Sequence, residues 1–389
     1  MKRTIMIMLA ALAVMPPTAI AAQERSAAEI YAEAEACWEG NDSVYMNRER
    51  ALELYRQAAE MGHAGAQFMM GNCYSSGNGV AKDLNIAIYW YGKAADQGDV
   101  SSMLNIGACY MELGDVEKKL FWYKKAAEKG DYLAQYNLGI VYTGKDDAQA
   151  AQWFRKSAEQ GYVASQMKLA EYYIDIEKDK EQAAYWALKA AEGGNADAQF
   201  LLAANYEVGT VDDQLGFEKD DAKAVYWYRK AAENGDAESQ EILASFYYFG
   251  SSGLEIDKEQ AAYWFKKSAE QGDVEAQYFL AWMYLDGEGG LDKDYNKARQ
   301  LMQKSAEQGL AVAQSWLGTH YVRAEQYKES LYWFTKAAEQ GYADAQYRLG
   351  LQYFLGYGVK RDKKKARYWM QKAAAQGYEG AIEWLRTID

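Results

Sequence analysis

The chain has 389 residues and a formal net charge of -13, and apolar residues make up 50% of it. An acidic surface repels nucleic acid and anionic lipid, and no basic stretch with interleaved aromatic residues offsets the charge, so nucleic acid is excluded as a partner. Both prolines, Pro16 and Pro17, lie near the N-terminus, so the rest of the chain suits long helices joined by short turns.

The first 22 residues are predicted to be a cleaved export signal. Basic residues at positions 2 and 3 precede an apolar run, Ile5 to Val14, and the small-residue motif Ala19-Ile20-Ala21. The apolar run is too short to span a bilayer, and no second such run follows it. We expect cleavage after Ala21 or Ala22, with an uncleaved N-terminal anchor as the alternative.

The mature chain, residues 23–389, is then expected to lie outside the cytoplasm. No cysteine stands just beyond the cleavage site, so a lipid anchor is not expected. With the signal removed, no membrane span remains in the sequence. The predicted location is the periplasm of a Gram-negative bacterium, or the outside of the cell if the protein is secreted.

A short phrase, Ala-Ala-Glu-x-Gly or a near copy of it, recurs throughout the chain. A period of 31 to 41 residues is typical of stacked repeats, whose units bury their apolar face only against their neighbours. The sequence therefore predicts a single elongated array over residues 23–389, which favours binding over catalysis. The phrase ends at Gly62, Gly98, Gly130, Gly161, Gly194, Gly235, Gly272, Gly309, Gly341 and Gly377.

Each repeat is predicted to consist of two helices. The first carries a small residue, glutamine, an apolar residue, Gly or Ala, and tyrosine, as in the segment from Ala66 to Tyr74; offsets of three and four place these side chains on one face. The second has the pattern Ala-x-x-Trp-aromatic-x-Lys-Ala-Ala-Glu-x-Gly, and its last glycine suits a left-handed helix end. Leu301 takes the place of tryptophan in one copy. We expect the tryptophans at this position to lie in the core. This tryptophan series consists of Trp90, Trp122, Trp153, Trp186, Trp227, Trp264, Trp333 and Trp369.

These motifs resemble those of Sel1-like repeat proteins, which are relatives of the tetratricopeptide repeats. The family's Gly-x-Gly-Val-x-x-Asp connector stands intact at Gly77–Asp83 and Gly356–Asp362, and in a looser form at Gly287–Asp294. The resemblance covers residues 26–389. It implies an all-α fold, a right-handed α-solenoid of about nine to ten stacked antiparallel helix pairs with terminal capping helices.

The resemblance also implies that the first helices line a concave groove. With the Gly or Ala of each first helix as position eight, positions five, nine and twelve should face this groove. Exposed aromatic side chains there would mark an interaction site; alternatively the assignment is off by one position, or the residues are buried by a tight superhelix. Trp282 is the best single candidate because it lies outside the tryptophan series. The candidate partner-binding residues are Phe68, Tyr136, Phe200, Tyr248, Tyr278, Trp282, Tyr347 and Phe354.

Cys37, Cys73 and Cys109 stand at equivalent places in successive repeats. Neighbouring units of a helical stack lie about 10 Å apart, whereas a disulfide needs Cα atoms within about 7 Å, so equivalent positions should not be bridged unless the first unit is distorted. Three buried apolar side chains are therefore the first interpretation, with a Cys37–Cys73 bridge or a reactive thiol as alternatives. No paired Cys-x-x-Cys or nearby histidine indicates a metal site.

Residues suited to catalysis are scarce. His63 and His320 are the only histidines, and both fit structural roles in the repeat. The acidic loop from Val208 to Asp221 lacks the ligand spacing of a calcium loop, so we expect it to be solvated. We predict no catalytic residues, no metal site and no cofactor.

The sequence predicts a non-enzymatic exported scaffold or adaptor that binds a protein or peptide partner along its groove. The resemblance implies a role in envelope assembly, signalling or host interaction. One alternative is a cell-wall-binding, β-lactam-binding or β-lactamase-like protein, as described for cysteine-rich relatives, although this chain offers no recognisable nucleophile for it. Another is a component of polysaccharide export or its regulation.

Overall fold

A computed structural model of the chain describes residues 25–39, 47–209 and 214–388. These residues form α-helices with no strand among them, and one π-helical turn at Tyr173–Glu177. The chain divides into two compact units, the first ending at Val141 and the second beginning at Tyr142. The predicted export signal lies outside the described residues.

Helices that are adjacent in sequence pack together as pairs, for example α3 with α4 in the first unit and α13 with α14 in the second. This confirms the prediction of an all-α fold built from stacked helix pairs. None of the described helices is long and apolar enough to cross a membrane. The helices are α1 (Ala27–Glu39), α2 (Arg48–Glu60), α3 (Ala64–Ser76), α4 (Leu84–Asp96), α5 (Val100–Glu112), α6 (Val116–Glu128), α7 (Tyr132–Tyr142), α8 (Asp147–Glu159), α9 (Val163–Tyr172), α10 (Lys180–Glu192), α11 (Ala196–Val208), α12 (Asp221–Glu233), α13 (Ala237–Phe249), α14 (Lys258–Glu270), α15 (Val274–Asp286), α16 (Tyr295–Glu307), α17 (Ala311–Arg323), α18 (Tyr327–Glu339), α19 (Ala343–Leu355), α20 (Lys363–Ala375) and α21 (Glu379–Ile388).

In most pairs, the residue just before the second helix is an aspartate whose side chain accepts a hydrogen bond from a backbone N–H of the helix's first turn. Asp257 accepts from the backbone N–H of Gln260, and Asp294 accepts from that of Lys297. Such a cap satisfies a backbone donor that the helix itself leaves unpaired. α18 is different, because its cap residue Gln326 makes no side-chain capping bond.

The repeated glycine lies just beyond the end of each second helix. In all ten copies this glycine has a φ angle between 83° and 110°, a conformation that a side chain disfavours. The prediction that this glycine suits a left-handed helix end is therefore confirmed. It turns the chain into the next first helix after only a few residues.

A glycine at position eight of the first helix leaves room for a side chain of the second helix of the pair. A Cβ atom added to Gly107 would lie 2.3 Å from a ring carbon of Tyr123, and one added to Gly318 would lie 2.5 Å from the ring of Phe334. Tyr123 and Phe334 directly follow a tryptophan of the series and are buried. The deepest aromatic side chain of these second helices is thus the residue after the tryptophan.

The tryptophan series itself lies nearer the edge of the core than predicted. Trp186, Trp264 and Trp333 are buried, which confirms the prediction for these three. The remaining five are only partly buried: Trp90, Trp122, Trp153, Trp227 and Trp369.

A ladder of buried glutamines connects successive repeats. Gln240 donates from Nε2 to the carbonyl oxygen of Ala232 at 2.9 Å, across the turn between α12 and α13. Its Oε1 accepts from Nε2 of Gln271, which also donates to the carbonyl oxygen of Gly235. The equivalent bonds recur at Gln277 and Gln314, among others. The recurrent Ala-Gln motif therefore has a structural role in holding one repeat against the next.

The three cysteines are free and buried. Burial raises the pKa of Cys73, and burial together with the nearby carboxylate of Glu112 raises that of Cys109 to about 11. The interpretation of buried apolar side chains is confirmed, and the Cys37–Cys73 bridge is not formed. A raised pKa also disfavours a reactive thiolate at these two positions.

Candidate partner-binding site

A pocket of about 500 Å³ lies in the second unit, between side chains of the first helices α15, α17 and α19. Tyr295, the first residue of α16, also lines it. The pocket is open to solvent rather than enclosed. Its aromatic and charged lining includes Tyr278, Trp282, Tyr295, Trp316, His320, Arg323, Tyr342, Asp344 and Arg348.

Aromatic rings form two parts of the pocket wall. On α17 the rings of Trp316 and His320 are parallel, with an interplanar angle of 1° and centroids 5.8 Å apart. On α15 the rings of Tyr278 and Trp282 meet edge to face at 6.3 Å. Each pair is separated by four residues, so both members lie on one side of their helix. The rings offer flat apolar surfaces to a ligand's side chain.

A hydrogen bond fixes the imidazole ring in this wall. Nδ1 of His320 and the hydroxyl of Tyr295 are 2.5 Å apart. Burial, together with the positive charges of Arg299 and Arg323, lowers the pKa of His320 below its ordinary value. At neutral pH the ring is therefore uncharged, and it joins the aromatic surface rather than the cationic one.

Asp344 is the only carboxylate among the described residues that line the pocket, and three side chains donate hydrogen bonds to it. It accepts hydrogen bonds from Arg348 at 2.7 Å, from Ser315 at 2.8 Å and from Tyr378 at 2.9 Å. Burial alone would raise the pKa of Asp344, but the bonds from Arg348 and Ser315 outweigh it and the pKa is lowered. This network ties α19 to α17 and to the segment before α21.

Two arginines near the pocket have no such partner. Arg323, at the end of α17, is exposed and lines the pocket, whereas Arg299 of α16 is half-buried and lies close to His320. Neither forms an ion pair with a described residue. The pocket is thus a locally positive site in a chain of net charge -13.

Of the eight residues predicted from the sequence, Tyr278 and Trp282 line this pocket. Both are half-buried, and the indole N–H of Trp282 is buried without a hydrogen-bond partner in the described structure. Leu285 at position twelve of α15 also lines the pocket, so the three positions assigned to the groove lie together on this helix.

The other six predicted residues are half-buried elsewhere. Phe68 packs against Tyr91 and Phe200 against Tyr228, ring to ring within their own helix pairs. Tyr248 contacts Phe279 and donates a hydrogen bond to Glu288, and Tyr136 lies in α7. The chain's last segment covers the remaining two: Tyr347 contacts Tyr378, and Phe354 contacts Trp384.

Several pocket residues were not among the predicted site residues. Positions two, six and thirteen of the first helices face the pocket as well, as Val312, Trp316, Arg323, Asp344 and Arg348 show. The sequence signal that could have found them is the pair Trp316 and His320. Both depart from the repeat pattern, and they stand one helical turn apart on a first helix.

A second aromatic surface was missed because it occupies a variable position of the motif. The residue before each tryptophan is usually Tyr or Phe, and its side chain is 49% to 60% exposed. A lysine four residues later lies over several of these rings, as Lys267 does over Tyr263 at 5.2 Å. These exposed aromatic residues, called the outer aromatic row of each unit, are Tyr89 and Phe121 in the first unit and Tyr185, Tyr226, Tyr263, Tyr332 and Tyr368 in the second.

The described residues that were candidates for catalysis or metal binding make structural contacts. Nδ1 of His63 accepts a hydrogen bond from the backbone of Ala66 and so caps α3. In the acidic loop, Asp220 caps α12 and pairs with Lys223, whereas Asp212 and Asp213 lie outside the described residues. Across residues 25–39, 47–209 and 214–388, no group of three or more His, Cys, Asp or Glu side chains could hold a metal ion.

Comparison with known proteins identifies the repeat and the fold. The Sel1 repeat family matches ten times, at residues 26–63, 64–99, 100–131, 133–162, 163–195, 196–236, 237–273, 274–310, 311–342 and 343–378. No curated protein matches the chain significantly.

Solved structures that share the fold include two that are more than 30% identical to the chain. One is a protective antigen present in uropathogenic Escherichia coli strains with an SLR fold, 33% identical over 92% of this chain and 78% of that one, with a TM-score of 0.71. The other is a Sel1 repeat protein from Oxalobacter formigenes, 31% identical over 75% of this chain and 86% of that one, with a TM-score of 0.63. The chain therefore belongs to the Sel1 repeat family, whose helical solenoids generally act as non-enzymatic scaffolds for protein interactions.

Proposed function

We propose that the protein is an exported adaptor that binds a protein or peptide partner in the pocket between α15, α17 and α19. The observation that carries this proposal is the convergence there of Trp316, Tyr278 and the exposed Arg323. Tryptophan, tyrosine and arginine are the residues most enriched among the energetic anchors of protein interfaces. An open pocket of about 500 Å³ is large enough to receive side chains of a partner.

Export is part of the same proposal. It is supported by the basic start, apolar run and small-residue motif within residues 1–22. A similar protein is described as a protective antigen, and this description is consistent with export of the present chain. Envelope assembly, signalling and host interaction all remain within the proposed role. Mass spectrometry of the protein from an envelope fraction tests export directly, because the expected mature N-terminus is residue 22 or 23.

Partner capture tests the binding proposal. The mature chain from residue 23 would serve as bait in an envelope fraction of the source organism. Trp316→Ala removes an aromatic wall of the pocket, and Tyr226→Ala is the matched control because it removes a ring of the outer aromatic row. We expect the wild type and Tyr226→Ala to enrich the same protein and Trp316→Ala to lose it.

Circular dichroism and a melting curve would show whether each variant is folded. Arg323→Glu, at an exposed position, gives a second pocket variant that does not remove a packed ring. A partner retained by both folded pocket variants would contradict the proposal. A partner lost from Tyr226→Ala instead would assign binding to the outer aromatic row.

A further inference from the structure

Around the pocket, one charged side chain has several hydrogen-bond partners, whereas two others have no partner of opposite charge in the described part of the chain. The carboxylate of Asp344 already has Arg348, Ser315 and Tyr378 as hydrogen-bond donors. Arg323 and Arg299 have no anionic partner among the described residues. An exposed guanidinium beside an apolar wall favours a carboxylate, because its fork of N–H groups matches two carboxylate oxygens.

The cationic and aromatic groups lie side by side. Arg323 follows His320 on the same helix, and His320 is parallel to Trp316. A ligand whose carboxylate reached Arg323 would therefore have its neighbouring side chain next to the rings of Trp316 and Tyr278. The pocket is open, so a chain can pass across it and need not end in it. A carboxylate on a side chain can therefore reach Arg323 from a peptide that continues past the pocket.

We propose that the pocket recognises an extended peptide segment in which an aspartate or glutamate stands beside a large apolar residue. The carboxylate pairs with Arg323, supported by the charge of Arg299, and the apolar side chain packs on Trp316 and Tyr278. This inference rests on the proposed function, because it specifies the chemistry of the partner that binds there. Like charge would repel most acidic ligands from a chain of net charge -13, so the arginines make this pocket the favoured contact point.

A random peptide library displayed on phage provides a probe that assumes no partner. Selection against the wild-type mature chain should enrich peptides with an acidic residue next to an aromatic or large aliphatic one. Synthetic copies of the enriched peptides, amidated at the C-terminus, would be measured by fluorescence anisotropy. A parallel set would carry Gln or Asn in place of the acidic residue.

Three protein variants give the matched comparison. Arg323→Gln removes the proposed carboxylate partner, and Arg299→Gln removes the supporting charge. Arg386→Gln makes the same charge change at an exposed site on α21 that does not line the pocket. We expect Arg323→Gln, or the neutral peptide, to weaken binding about fivefold or more, as for a partly exposed ion pair worth about 1 kcal/mol. Arg299→Gln should have a smaller effect, and Arg386→Gln none.

Added salt should weaken the acidic peptide more than its neutral copy. The inference is overturned if neutral or basic sequences are selected, if no peptide is selected, or if Arg323→Gln binds as tightly as Arg386→Gln. Binding that requires a free C-terminal carboxylate would also overturn it and point to chain-end recognition. The proposed function fails separately: a natural partner lost with Trp316→Ala but unaffected by Arg323→Gln would preserve the adaptor role while removing the acidic-peptide specificity.

Discussion

Two glycine-to-alanine substitutions in neighbouring helices should have different effects on stability. Gly92 lies inside α4 and has no atom within 4 Å of an added Cβ. Gly107 lies inside α5, where an added Cβ would stand 2.3 Å and 2.4 Å from two ring carbons of Tyr123. Carbon atoms in contact are normally about 3.5–4.0 Å apart, so the ring or one of the helices must move by more than about 1 Å.

The expected changes in the free energy of unfolding follow from the room for a methyl group at Gly92 and its absence at Gly107. Replacing an interior glycine by alanine stabilises a helix by about 0.5–1 kcal/mol, and Gly92→Ala should gain this amount in full. Gly107→Ala gains the same amount but adds an overpacking cost of about 1–3 kcal/mol. We therefore expect Gly107→Ala to be neutral to destabilising by about 2 kcal/mol, and the two variants to differ by about 1–3 kcal/mol.

Hydrogen exchange measured by mass spectrometry suits this test, because long repeat arrays often unfold in more than one step. Peptides covering α5 and α6 should exchange faster in Gly107→Ala, and those covering α4 should exchange more slowly in Gly92→Ala. Tyr123→Leu in the Gly107→Ala background should recover part of the loss, because the two residues are in contact. Equal shifts of the same sign in both single variants would refute the packing argument.

Three further changes test other parts of the structure. Gln240→Leu removes two ladder bonds of 2.9 Å and should destabilise its repeats by about 1–3 kcal/mol, visible as a lower melting temperature; an unchanged melting curve would contradict the ladder's role. Gln326→Asp supplies the missing cap of α18 and should stabilise by about 0.5–1 kcal/mol in urea unfolding, whereas no gain would show that this cap position is already satisfied. Asp344→Asn weakens the bond from Arg348 and should destabilise at neutral pH by about 1 kcal/mol or more. Because the folded pKa of Asp344 is lowered, that difference should shrink as the pH falls below the unfolded value of about 3.9, and a pH-independent difference would exclude an electrostatic origin.

The sequence predicted the repeat architecture well because its signals are local. The Ala-Ala-Glu-x-Gly phrase marks a helix end within a few residues, and the glycine's positive φ confirms it at each copy. The periods of three and four within each helix identified the packed face. These patterns depend on neighbours in the chain, so they could be interpreted without knowing how the helices are arranged.

The candidate site depends on contacts that the repeat pattern does not encode. Tyr278 and Arg348 line one pocket although 70 positions separate them, and Tyr295 enters it from a second helix. The sequence assigned positions five, nine and twelve to the groove but omitted positions two, six and thirteen, which face the same way. Tyr378, in the turn before α21, covers Tyr347, and the repeat pattern of α19 does not encode this contact.

Site-specific photocrosslinking would show whether a partner occupies the pocket between α15, α17 and α19. A benzophenone amino acid would replace Val312, which lines the pocket, or Tyr226 in the outer aromatic row, in the mature chain. After irradiation in the envelope fraction, we expect a discrete crosslinked protein with the probe at position 312 and none with the probe at position 226. A partner crosslinked from position 226 alone, or the absence of any crosslink from position 312 in the folded protein, would contradict this expectation.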